Sequence, residues 1–92
     1  MAKIVSGHKI PEIEQTLSAA AAAMNILNAI HALGFAAKWV TGANCYDSEF
    51  KREFGLDGTD QLIGFIHAGT PMGAVSPSER PDPAEFVVEW GA

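Results

Sequence analysis

The sequence predicts a small α+β fold, and three observations carry that expectation. A long stretch with helical spacing, Ile13 to Leu33, ends at a glycine. Two short β-prone runs follow it, Ala36-Ala37-Lys38-Trp39-Val40-Thr41-Gly42 and Leu62-Ile63-Gly64-Phe65-Ile66-His67-Ala68. Between them lies a short amphipathic segment beginning at Asp47. The expected layout is a long central helix, a short sheet, a second short helix and an extended C-terminal arm.

The helix is read from its periodicity. Ile13, Leu17, Ala20, Met24, Leu27 and His31 recur at steps of three and four, and Ile26, Ile30 and Leu33 form a second stripe. The narrow polar edge holds Glu14, Ser18, Asn25 and Asn28. So wide an apolar surface predicts a helix wrapped on most sides. The run Ser18-Ala19-Ala20-Ala21-Ala22-Ala23 would let another backbone approach closely, marking a subunit-contact helix. Pro11 suits the first turn, and Glu12 and Glu14 suit the positive end of the helix dipole. Gly34 is the expected stop, because glycine reaches the left-handed conformation that closes a helix.

The other elements follow in order. Met1-Ala2-Lys3-Ile4-Val5 reads as the end of a strand, and Ser6-Gly7-His8-Lys9 as a loop. The second strand is expected to end at Gly42, leaving backbone N–H and C=O groups at a flexible tip beside the long helix. Asp47 is the expected N-cap of the short helix, Phe50 and Phe54 its buried face, and Gly55 its stop. Gln61 to Ala68 is apolar on both faces, as an interior strand should be. Four of the five prolines lie between Pro71 and Pro83, which predicts an extended arm. Phe86-Val87-Val88-Glu89-Trp90 reads as a terminal strand in need of a sheet edge. Residues 1–92 are taken as a single domain, with 1–70 as core and 71–92 as arm and terminal strand.

Composition narrows the function. A chain of 92 residues is 48% hydrophobic, yet one of this size buries only about 60–65% of its extended surface. Association is the expected outlet. A formal net charge of -5 argues against nucleic acid as a partner. Lone Cys45 excludes an internal disulfide and fits a reducing, cytoplasmic setting. No membrane span is expected, because the helix carries Glu14, Gln15, Asn25, Asn28 and His31. The spacing of His8, His31, His67 and Cys45 matches no zinc pattern, and Cys45 has no activating neighbour in sequence.

Three segments together resemble the C-terminal half of FMN-dependent nitroreductases of the short, minimal branch. They are Asn25 to Phe35 with Trp39-Val40-Thr41-Gly42, then Phe50-Lys51-Arg52-Glu53-Phe54-Gly55-Leu56, then Gln61 to Pro71. The resemblance implies a partial nitroreductase fold with a short antiparallel sheet. It also implies a homodimer held by the long helix and by a C-terminal arm that reaches the partner. It implies an FMN-dependent oxidoreductase passing hydride from NAD(P)H to a nitroaromatic or quinone-type acceptor. Trp39, Val40, Thr41 and Gly42 would line the flavin, Arg80 would meet its phosphate, and Ala29 through Gly34 would touch the nicotinamide nucleotide. No catalytic side chain and no metal ligand is implied. Relatives often carry glycine at the places of Ala36 and Ala37 and arginine at that of Val40, and their arginine- and serine-rich phosphate grip has no counterpart here. Impaired flavin binding is therefore expected. The alternative from another class is a truncated, non-catalytic chain that serves as an oligomeric scaffold or association module.

Overall fold

The computed structural model describes residues 1–91. Helix α1, Glu12–Ala32, leads into strand β1, Ala36–Val40. A 3-10 turn, Ala43–Tyr46, and helix α2, Ser48–Glu53, then lead towards strand β2, Phe65–Gly69. The two strands pair antiparallel, from Ala36↔Gly69 through Trp39↔Ile66 to Val40↔Phe65. The architecture is α+β, as a partial nitroreductase fold requires.

Local chemistry sets the element ends. Gly34 takes φ +86°, its N–H donates to the His31 carbonyl at 2.9 Å, and the Phe35 N–H donates to the Ile30 carbonyl at 3.1 Å. These two bonds form the Schellman closure, which satisfies helix-end carbonyls. At the other end Pro11 offers its carbonyl to the Glu14 and Gln15 N–H groups. Gln15 also fastens the preceding loop: its Oε1 accepts from the Val5 N–H, and its Nε2 donates to the Val5 and Ile10 carbonyls. Asp47 caps α2 as expected, with Oδ1 accepting from the Phe50 N–H at 2.7 Å.

The buried core is small and centres on the segments around α2. Leu56 (1% exposed), Cys45 (2%) and Leu62 are buried together, with Phe50 and Phe65 packed on them. The Phe50 ring meets Phe65 edge-on at 6.1 Å and Phe54 at 5.3 Å. The N-terminal segment is tied to this core by Asp60, whose Oδ1 accepts from the Ile4 N–H at 2.7 Å. Its Oδ2 accepts from the Asp57 N–H at 3.3 Å and lies 3.1 Å from Lys3 Nζ. Ala2 and Gln61 exchange backbone bonds of 2.7 and 2.9 Å beside it, so the expected strand at 1–5 shrinks to a single bridge.

Three expectations need correction. The long helix is not wrapped: Ala23 is its only buried residue, while Ile13, Leu17 (59% exposed), Met24, Ile26 and Leu33 stay open to solvent. A two-stranded sheet covers one band of a helix and no more. Residues 86–90 form no strand; among its described residues the arm carries a single 3-10 turn, at Pro83–Glu85. β-propensity expresses packing on a pleated surface, and no sheet edge lies beside this segment in a single chain, so Trp90 is 99% exposed. Both main strands are also shorter than expected: β1 stops at Val40, and β2 begins at Phe65.

The surface measures the consequence. The chain exposes 7588 Å², against about 5,100 Å² for a compact monomer of its mass. Its radius of gyration is 17.1 Å, where about 12 Å suits a compact chain of this length.

One prediction concerns Asp60. Its carboxyl is held below the ordinary carboxylate value, chiefly by the Ile4 N–H; burial opposes this, and the Asp57 N–H and Lys3 add to it. A folded-state value below the unfolded one stabilises the fold fully above about pH 4 and is lost as pH falls through the folded value. Asp60→Asn should therefore lower the unfolding midpoint at pH 7, and the gap to the parent should narrow as pH falls below the ordinary carboxylate range. Thermal melts across that range check this; a gap that stays constant with pH would contradict it.

Candidate functional site

The tip of β1 is where ordered backbone, an apolar wall and open space meet. Strand pairing stops at Val40, and Thr41 and Gly42 are exposed. Among the described residues neither N–H has a hydrogen-bond acceptor. Gly42 is fully extended, with φ -176° and ψ -179°, and its carbonyl accepts from the Cys45 N–H at 3.0 Å. This bond starts the 3-10 turn that buries Cys45 and leaves Tyr46 exposed. Buried Cys45 thus anchors the turn from below.

A cavity of about 280 Å³ opens beside this tip, lined by Trp39, Thr41, Tyr46, Leu62 and Ile63 with Thr16 and Ala20 of α1. A smaller cavity of about 200 Å³ lies on the alanine face of α1, against Trp39, Ile63, Gly64 and Ile66. Trp39 stands between them. Its Nε1 donates to the Ile63 carbonyl at 3.0 Å, so the polar end of the indole is used within the fold and its apolar body faces the cavities. An apolar cavity of ~150 Å³ suffices for a benzene ring, so the larger space suits a planar aromatic group. Thr41 lines it and Gly42 follows in the chain, and their free N–H groups suit that group's acceptor atoms.

The candidate residues do not all converge. Trp39 and Thr41 share the larger cavity. Val40 pairs with Phe65 on the opposite face of the sheet, and Gly42 contributes backbone alone. Arg80 lies in the exposed arm and is absent from the cavity lining. The segment Ala29 through Gly34 lies at the other end of β1, about 13 Å away at the usual rise of a strand. There Ile30 and Leu33 line one cavity with Phe35, Ala68 and Thr70, and His31 and Gly34 line another with Pro71 and Val75. One planar ring cannot occupy both ends. His31 and His67 are surface residues, and no group of three or more potential metal ligands occurs among the described residues. No described helix is long and apolar enough to cross a membrane.

Sequence reasoning missed Gly64, Ile63 and Tyr46. A glycine inside an apolar strand run is a signal of close backbone approach, and Gly64 carried that signal. The role of Ile63 is played by its carbonyl, which no sequence pattern marks.

The model of the nitroreductase family matches residues 2–70, the helix, both strands and the core. A protein of Escherichia coli K12 named "Putative NAD(P)H nitroreductase YdjA" is 38% identical over 88 residues. The protein of the same name from Escherichia coli O157:H7 matches equally. Each alignment covers 95% of this chain and 48% of the relative, so the chain spans about half the length of the curated relatives it matches. With the family match over most of its length and the helix–tip–strand geometry in place, the chain belongs to the nitroreductase family.

Proposed function

We propose that this chain contributes the ring-binding edge of an FMN-dependent oxidoreductase, which passes hydride from NAD(P)H by way of the flavin to a nitroaromatic or quinone-type acceptor. The observation that carries the reading is the unpaired N–H of Thr41, which lines an aromatic-walled cavity, followed in the chain by the unpaired N–H of Gly42. Family membership supports it. FMN supplies the hydride chemistry when bound. The chain's part is orientation and polarity. The Trp39 indole and Tyr46 flank the space, α1 closes it with Thr16 and Ala20, and fixed backbone donors favour a ring edge that gains negative charge. The nicotinamide must approach at the tip to reach that ring; contact with Ala29 through Gly34 would engage the rest of the dinucleotide. A reducing cytoplasm suits buried, unpaired Cys45.

The fit is to the ring and not to the phosphate. No arginine or lysine lines the cavity, and each charge-assisted hydrogen bond withheld from a phosphate costs ~1.5–3 kcal/mol. Two such losses weaken binding by about two to four powers of ten. Residues 1–92 alone should therefore bind FMN more weakly than micromolar and show no nitroreductase turnover above free flavin. Submicromolar affinity in a fluorescence titration would overturn this.

A second reading, a non-catalytic association module, is favoured by the exposed apolar surface. We propose a homodimer in either case, formed through the open α1 stripe Ile13, Leu17 and Met24 and through the arm, where Met72, Val75, Phe86, Val88 and Trp90 are exposed. The surface beyond that of a compact monomer, about 2,500 Å², is enough to form an obligate interface.

Two experiments follow. Thr41→Pro removes an N–H and fixes φ, so it should weaken FMN binding about tenfold, the worth of ~1.4 kcal/mol. Thr41→Ala, which keeps the N–H, should change it little. Equal affinities would remove the tip from the site. Deleting residues 84–92 should shift the dimer towards monomer and lower solubility, as light scattering would show. A stable monomer of the intact chain at micromolar concentration would contradict the dimer.

A further inference from the structure

Of the glycines, Gly64 alone lacks room for a side chain. Its φ is +137°, and a Cβ there would stand 2.4 Å from Trp39 Nε1, 2.8 Å from Trp39 Cδ1 and 2.6 Å from the Val40 carbonyl oxygen. A Cβ at any other glycine, Gly58 at φ +50° included, would meet nothing within 4 Å. The Trp39 indole and the Val40 carbonyl therefore close directly on the Gly64 backbone, next to the Ile63 carbonyl that receives the indole N–H. Continuing the strand register by one step from Val40↔Phe65 sets Gly64 opposite Thr41.

We infer that Gly64 is a positioning residue for the β1 tip, setting the direction of the Thr41 N–H through the Val40 peptide and the Trp39 indole. The Val40 carbonyl and the Thr41 N–H belong to one planar peptide unit, so displacing the oxygen turns the donor. Any L side chain at position 64 must either push the indole off the Ile63 carbonyl or rotate that peptide. Both movements reach the cavity rim. The inference rests on the proposed placement of the flavin ring beside Thr41 and Gly42 for its functional consequence, whereas the geometric link stands on the contacts alone.

The test compares Gly64→Ala with Gly58→Ala, which also strains a positive φ but touches nothing. Amide spectra of the FMN-free chain report the Thr41 N–H and the Trp39 indole N–H, and flavin polarisation reports FMN affinity. Gly64→Ala should move the Thr41 resonance, speed exchange of the indole proton and weaken FMN binding about tenfold, while Gly58→Ala leaves all three near the parent. Trp39→Val takes away both crowded indole atoms and puts no ring in their place, so adding Gly64→Ala to it should cost clearly less than in the parent. A Thr41 resonance unmoved by Gly64→Ala would overturn the inference. So would an equal cost with and without the indole, or an FMN loss matched by Gly58→Ala. Failure of the parent chain to bind FMN even at millimolar concentration would overturn the flavin reading, leaving the two proton signals to decide the role of Gly64.

Discussion

The hydrogen bond from the Trp39 indole to the Ile63 carbonyl holds together the parts of this fold that matter for function. It joins β1 to the segment leading into β2 near the point where their ladder ends. It also lays a large apolar ring between the strands and α1, where a two-stranded sheet would otherwise have little to offer a helix. The bond is part-buried, and a buried indole N–H left without an acceptor costs about 1–3 kcal/mol. The register, the helix seat and the strand tip therefore depend on one another. Gly64 permits the arrangement, because the indole and the Val40 carbonyl occupy the space a side chain would need.

A second constraint comes from what one chain can cover. α1 rests on the sheet through its alanine face, around Ala19, Ala22 and Ala23, while larger apolar residues flank that band in the open. The buried core forms elsewhere, from Leu56, Cys45 and Leu62 under α2 and the 3-10 turn. Stability is therefore concentrated at one end, where Asp60 also pins the N-terminal segment. The helix and arm carry most of the large apolar residues left open to solvent.

Much of this was legible in the sequence because it was local. Gly34 and Asp47 announce helix ends through chemistry confined to a few neighbours, and both act as expected. The apolar runs at 36–42 and 61–68 mark the two strands for the same reason. The failures were non-local. Periodicity reports that α1 is apolar, not whether one chain can bury it. The β-prone segment 86–90 finds no edge to pair with and stays irregular. Of the candidate site, Trp39 and Thr41 share a cavity, but the indole is engaged by a carbonyl 24 residues away, a contact no linear pattern encodes. Arg80 stands apart in the arm.

Backbone donors at the end of β1 that face the ligand ring should be protected when the ring binds. Residue-resolved hydrogen exchange, with and without saturating FMN, should show slower exchange at Thr41 and Gly42, with little change at Phe86 to Trp90. Protection confined to other segments, with Thr41 and Gly42 exchanging as fast as in the free chain, would contradict it.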